Sequence, residues 1–135
     1  MRIQYYHQFF AGPEAPGPRQ PRDLVRLLAE RGHTVDVVAC DLNAYNEQTE
    51  PEEAYETPAG GAVRVHRLKT SRNLRASLFN RLKTYGRFAW SAYRFGPQLP
   101  EPDVVMATIQ PLFGGFAALR LARRWRKPFL LEIRD

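Results

Sequence analysis

The chain has 135 residues, enough for one compact domain with its own core, and its 44% apolar and 12% aromatic content excludes a disordered polypeptide. A single cysteine, Cys40, excludes an internal disulfide and a cysteine-based zinc site, and no stretch approaches the roughly 20 apolar residues that span a bilayer. The formal charge is +6, and Met1 leads into Arg2-Ile3-Gln4-Tyr5-Tyr6, too short and too polar for a signal peptide, so the expected setting is a reducing cytoplasm with membrane contact no more than peripheral.

Residues 2 to 6 read as a first strand, followed by a turn-rich loop from Phe9 to Pro18 that contains Gly12, Pro13, Pro16, Gly17 and Pro18. A helix follows. Leu24, Val25, Leu27 and Leu28 recur at helical spacing, Pro21 suits its first turn, and Gly32 takes the left-handed conformation that stops it. Thr34 to Cys40 is a buried strand. Asp41 to Gly61, with prolines and a run of glutamates at 47, 50, 52, 53 and 56, reads as a polar surface excursion.

Ala62 to Leu68 alternates Val63 and Val65 with Arg64, His66 and Arg67, which predicts a strand at an edge or with one wet face and an outward-facing His66. From Asn73 to about Phe95 a long helix places Leu74, Leu78, Leu82, Tyr85, Ala89 and Tyr93 on one arc, with Lys83, Arg87 and Arg94 beside it. Between Thr57 and Pro100 there is no acidic residue, so this segment favours an anionic partner, or else is the solvated face of a basic protein. Pro97, Pro100 and Pro102 end the helix, and Asp103 to Ala107 is a further strand. A helix from about Leu112 to Arg126 packs Phe116, Leu119, Ala122 and Trp125 inward, and Pro128 starts a last strand that runs into Glu132, Ile133, Arg134 and Asp135. Strands alternating with helices predict an α/β domain, a Rossmann-like, doubly wound and mainly parallel sheet.

The ends of the predicted strands carry the candidate chemistry. No Gly-x-Gly-x-x-Gly or Walker loop is present, and the prolines of the first loop remove N–H donors that a phosphate cradle would use. Arg19 and Arg22 beside the start of the first helix favour an anion, although two solvated arginines on a surface loop give the same spacing. His7 follows the first strand, where ligands of such sheets collect, as a hydrogen-bonding or proton-exchanging group or as a plain structural histidine. His33 fixes the turn after the first helix. Three scattered histidines give no metal site. Thr108 and Gln110 leave a strand with side chains suited to a polar ligand. At the last strand Glu132 and Arg134 point to one face and Asp135 to the other, where it is placed as a base or a hydroxyl ligand.

Taken together, Arg2-Ile3-Gln4-Tyr5-Tyr6-His7-Gln8-Phe9-Phe10, the turn to Arg19, Leu28-Ala29-Glu30-Arg31-Gly32-His33-Thr34-Val35-Asp36-Val37, Thr108-Ile109-Gln110-Pro111-Leu112-Phe113 and Pro128-Phe129-Leu130-Leu131-Glu132-Ile133-Arg134-Asp135 resemble the N-terminal half of family 4 glycosyltransferases. That resemblance implies a GT-B enzyme in which two Rossmann-like domains face a cleft, with residues 1–135 as the acceptor-side domain and the donor-binding domain, with its Glu-x7-Glu motif, lying beyond. The fragment alone is then inactive. It also implies transfer of a sugar from a nucleoside diphosphate sugar to a hydroxyl with retention of configuration and no cofactor or metal. Asp135 matches the residue next to the reacting centre. His7, Gly17, Arg19, Thr108, Gln110 and Arg134 fall at substrate-binding positions. A polyprenyl-linked or other anionic glycan at the cytoplasmic membrane face is the implied acceptor, with peripheral membrane contact through the basic helix bearing Phe79, Phe88 and Trp90. The rival readings are a nucleic-acid- or anion-binding module, against which the burial expected of the aromatics argues, and a stand-alone non-catalytic domain of the same fold.

Overall fold

The computed structural model describes residues 1–109 and 111–134. Among these, the main elements follow one another as β1 (Arg2–Tyr6), α1 (Gln20–Glu30), β2 (Thr34–Cys40), β3 (Glu53–Glu56), β4 (Ala62–Leu68), α2 (Leu78–Phe95), β5 (Val104–Thr108), α3 (Leu112–Trp125) and β6 (Phe129–Glu132). The strands form one sheet in the order β3-β4-β2-β1-β5-β6, in which every pairing is parallel except that of β3 with β4. The expected Rossmann-like, mainly parallel architecture is therefore present, with one strand more than the sequence pattern suggested.

Alternation along β1 explains how the two faces are covered. Ile3 and Tyr5 join Val35, Val37, Val63 and Val65 under α1, which contributes Val25 and Ala29, whereas Tyr6 joins Val38, Cys40, Val105 and Ala107 under α2 and α3. The α1 helix begins at a proline-containing first turn and stops where Gly32 adopts a φ of +90°. Leu27, expected to pack with its neighbours, is exposed, because the buried line of α1 runs through Pro21, Val25 and Ala29.

Four expectations are corrected. The stretch from Asp41 to Gly61 is no mere surface excursion: Leu42, Asn43 and Glu50 are buried, and β3 pairs antiparallel with β4 and takes the edge, leaving β4 internal. His66 does not face outward freely, since its Nε2 lies 3.0 Å from the buried Asp36 carboxylate, which Arg2 also meets at 3.0 Å. Burial opposes ionisation of Asp36, but the hydrogen bond from His66 and the charges of His66 and Arg2 hold its carboxyl below the usual range. The second long helix does not start at Asn73, which has a left-handed φ of 65°; it starts after Ser77, whose hydroxyl accepts from the Asn80 amide. Its buried residues are Thr84, Phe88 and Ala92, while Leu78 is 68% exposed. Last, Phe116 of α3 is 55% exposed, because the buried line of α3 runs through small residues, with Gly114 against Phe88 of α2 and Gly115 against Leu131 and the Thr108 carbonyl of the sheet.

Gly61 shows how closely the excursion is packed. A Cβ there would lie 1.9 Å from the Ala29 carbonyl oxygen, a backbone atom that cannot step aside. Gly61→Ala is therefore expected to lower stability by about 2 kcal/mol or more, read as a lower urea midpoint at unchanged slope.

Candidate functional site

The sheet reverses its winding at β1, since the chain moves from β1 outward to β2 and β4 on one side and later to β5 and β6 on the other. Outside the carboxyl ends of β1 and β5, where this topology opens a crevice, lies a cleft of about 720 Å³. His7 enters it from the end of β1, Thr108 from the end of β5 and Arg134 from beyond β6. Arg75 and Arg81 reach it from the loop before α2 and from that helix's first turn, and Phe113 lines it from α3.

His7 is held tightly. Its backbone N–H donates to the Val38 carbonyl at 3.1 Å, and its ring stands edge-on to Tyr5 (5.7 Å) and Phe10 (5.9 Å). Burial pushes the imidazole down to about 4, offset in part by the Glu132 carboxylate and reinforced by Arg134 and Arg67. It is thus neutral at physiological pH, and its Nδ1 is buried with no hydrogen-bond partner among the described residues. Tyr5 donates its hydroxyl to Glu132 at 2.7 Å, and Glu132 in turn pairs with Arg134, whose guanidinium also donates to Gln20 at the start of α1. Burial, and then the hydrogen bond to Glu132, raise the Tyr5 phenol, so this pair works as a fixed support rather than a proton carrier. Thr108 is buried.

Of the residues singled out from the sequence, His7, Thr108 and Arg134 therefore converge on one cleft. Glu132 and Arg134 share a face, as alternation required. Gly17, with a φ of +137°, is packed between Ala11 and Tyr45 beside the cleft-lining Pro18. Arg19 is exposed and donates to the Pro13 carbonyl, closing its own loop without lining the cleft. Gln110 and Asp135 lie outside the described residues. Arg75 and Arg81 were recognisable in the sequence only as members of a basic run; their place in the cleft depends on the turn at Asn73, which no periodicity announces.

The basic run is also less available to a partner than its composition implies. Arg67 is buried among backbone carbonyls and two glutamates, Arg72 lies 3.6 Å from Asp41, and Arg75 donates to the carbonyls of Ala44 and Tyr45. A second, apolar cleft of about 410 Å³ runs between α2 and α3, lined by Trp90, Tyr93, Phe116 and Arg120, and it shares Phe113 with the first. Among the described residues no cluster of three His, Cys, Asp or Glu is arranged to hold a metal ion, and no helix is long and apolar enough to cross a membrane.

The family model described as glycosyl transferase 4-like domain matches residues 17–135. The chain belongs to this family. No curated protein sequence matches it at a significant level. Among solved structures, it is similar to one described as trehalose-6-phosphate from E. coli bound with UDP-2-fluoro glucose, with a TM-score of 0.53 and 12% identity over 97% of this chain and 32% of that one. The apo structure of OtsA gives a TM-score of 0.54 and 12% identity over 98% and 33%. The C-terminal domain of a hydrogenase from Pyrococcus furiosus gives 0.52 and 9% over 97% and 89%. At these identities the likeness is one of fold. The chain spans about a third of the length of the first two.

The state of His7 has a measurable signature. Because its pKa is about 4 folded against 6.5 ordinarily, the unfolded chain binds more protons between these values, so stability is lost as pH falls through that window. Histidine NMR resonances should show one imidazole titrating near 4, and His7→Gln should flatten the stability profile between pH 6.5 and 4.

Proposed function

We propose that this cleft is the acceptor-side half of the active site of a retaining glycosyltransferase that moves a sugar from a nucleoside diphosphate sugar to an acceptor hydroxyl, in cell-surface polysaccharide or glycolipid synthesis. The observation that carries the reading is the convergence of a neutral imidazole, a threonine and three arginines on one crevice at the point where the sheet reverses. In the reaction, the acceptor oxygen bonds the anomeric carbon as the bond from that carbon to the diphosphate breaks, and the acceptor's proton passes to the departing diphosphate oxygen. Negative charge grows on the leaving diphosphate, and Arg75, Arg81 and Arg134 supply the positive field that meets it without a metal or other cofactor. His7 and Thr108 hydrogen-bond sugar or acceptor hydroxyls. Gly17 and Arg19 shape the adjoining loop, and Gln110 and Asp135 enter by family resemblance, Asp135 as the residue beside the reacting carbon. A second domain carrying the Glu-x7-Glu motif would hold the donor and close the cleft against water.

The similar E. coli structure is bound with UDP-2-fluoro glucose, which supports a nucleotide sugar as donor class. A polyprenyl-linked or other anionic glycan suits the acceptor side. Exposed Leu78, Phe79, Leu82 and Trp90 alternate on α2 with Arg81, Lys83 and Arg87, a pattern that suits the anionic inner face of a plasma membrane. The internal pairing of Arg67 and Arg72 with acidic residues weakens the case for a nucleic-acid module.

Titrating uridine diphosphate sugars into the isotope-labelled chain tests this. Resonances of His7, Thr108 and Arg134 should shift together, and Arg81→Ala should weaken binding by about tenfold. Equal shifts with a random oligonucleotide, lost steeply with salt, would overturn the proposal in favour of a nucleic-acid module.

A further inference from the structure

The loop after β1 is held by a set of charges that neither the fold nor the cleft requires for itself. Three successive residues offer one backbone group each: the Phe10 carbonyl accepts from Arg67 Nη1 at 2.5 Å, the Ala11 carbonyl accepts from Arg22 Nη1 at 3.0 Å, and the Gly12 N–H donates to Glu50. Glu53 then joins the two arginines, taking a bidentate pair from Arg22 at 2.7 and 2.8 Å and lying 3.8 Å from Arg67, which is equally far from Glu50. Two cations face two anions. The Arg67 side chain is 3% exposed and that of Glu50 6%, so neither is a solvated surface charge. Arg67 also donates to the carbonyls of Cys40 and Pro51, tying the ends of β2 and the acidic segment to the same point.

Both guanidinium groups lie over the Phe10 ring, at 5.5 and 6.0 Å, and that ring also stands edge-on to His7 at 5.9 Å. The contacts form one chain, from Glu50 and Glu53 through Arg22 and Arg67 to Phe10 and so to the imidazole in the cleft. We infer that Arg22, Glu50, Glu53 and Arg67 are positioning residues: a neutral quartet that fixes the Phe10–Gly12 backbone and, through Phe10, the orientation and dryness of His7. The inference rests on the proposed function only in taking the cleft as the substrate site. It gives the acidic segment a role that its composition hides, since its glutamates hold a loop instead of bathing in water. It also means that the Gly12 N–H is already engaged by a carboxylate, so anion recognition at this loop falls to side chains.

The test is made on the 135-residue chain without ligand, so its failure is distinct from a failure of nucleotide binding. In Glu50→Gln, circular dichroism should report an intact fold while the Gly12 amide exchanges about tenfold faster or more. The His7 imidazole should bind its proton about tenfold more tightly as water enters around Phe10, a rise of roughly one pH unit in its titration. Removing a negative charge cannot raise an imidazole's proton affinity by Coulomb's law, so this rise reports position and not charge; Glu132, Arg134 and Arg67, the other charges acting on His7, are unchanged. Gly12→Ala is the second variant, because its Cβ would lie 2.9 Å from the Glu50 carboxylate and displaces the same contact without altering any charge. It should raise the His7 titration likewise. An unchanged Gly12 amide and an unchanged His7 titration in a folded variant of either kind would overturn the inference.

Discussion

Parallel pairing of β1 with both β2 and β5 is the constraint on which the rest of the molecule depends. The registers Tyr6 to Val38 and Tyr6 to Ala107 bring three chain segments to a common end, and the strand order reverses there, which opens the crevice. Whatever follows Tyr6, Thr108 and Glu132 must therefore meet. His7, Arg134 and the loop before α1 are neighbours because the hydrogen-bond ladder aligns their strands, although more than a hundred residues separate His7 from Arg134 in sequence. Burial on both faces makes this alignment firm, since a slip by one residue would send Tyr5 and Tyr6 to the wrong sides of the sheet.

A second layer of order is electrostatic. Excess positive charge and a clustered acidic segment look, in composition, like two independent surface features. Folding brings them together: Glu50 and Glu53 meet Arg22 and Arg67, Asp41 meets Arg72, and the Glu47 carboxylate accepts from the Leu74 amide. A buried pair of this kind contributes less to stability than its Coulomb energy suggests, because desolvation offsets much of the attraction, and its clearer effect is on which conformation the chain adopts. Here that conformation is the path of the β1–α1 loop. Charges left over, on α2, α3 and the cleft, are those available to a partner.

How far the fold was legible follows from which elements carry a period. Thr34 to Cys40 and Ala62 to Leu68 announce themselves through β-branched residues, and the stop at Gly32 through its backbone. Glu53 to Glu56 could not, because an edge strand exposed on most sides needs no apolar alternation, and its sequence Glu-Ala-Tyr-Glu is poor in strand formers. The α2 arc was misplaced for a different reason. Helical spacing gives a face but not the direction of the core, and aromatic residues around most of the helix make several faces equally apolar; only the approach of α3 through glycine and alanine decides that Phe88 is buried and Trp90 is not. In the site, residues at strand ends were legible because strand ends are. The quartet was not, since Arg22, the acidic segment and Arg67 lie far apart along the chain, and Arg22 on its own pointed to an external anion and not to Glu53.

The division of labour within the cleft follows from this layering. An imidazolium beside Arg134 would add a positive charge next to an existing one, and desolvation already opposes it, so the cleft separates its functions: guanidinium groups, which cannot lose their protons, carry charge, while a neutral imidazole offers one donor and one acceptor. Glu132 could have undone this by protonating His7, because an adjacent carboxylate raises an imidazole's proton affinity. Its field does act on His7, but burial outweighs it and Arg134, which also pairs with Glu132, opposes it, so the imidazole stays neutral. Phe10 and Tyr5 supply that burial, and Phe10 is in turn kept in place by Arg22 and Arg67. A hydroxyl entering the cleft thus meets a hydrogen-bonding partner whose state is set by packing, in a field whose sign is set by arginine. For the transfer proposed above, that combination suits a neutral nucleophile approaching a centre about to release an anion.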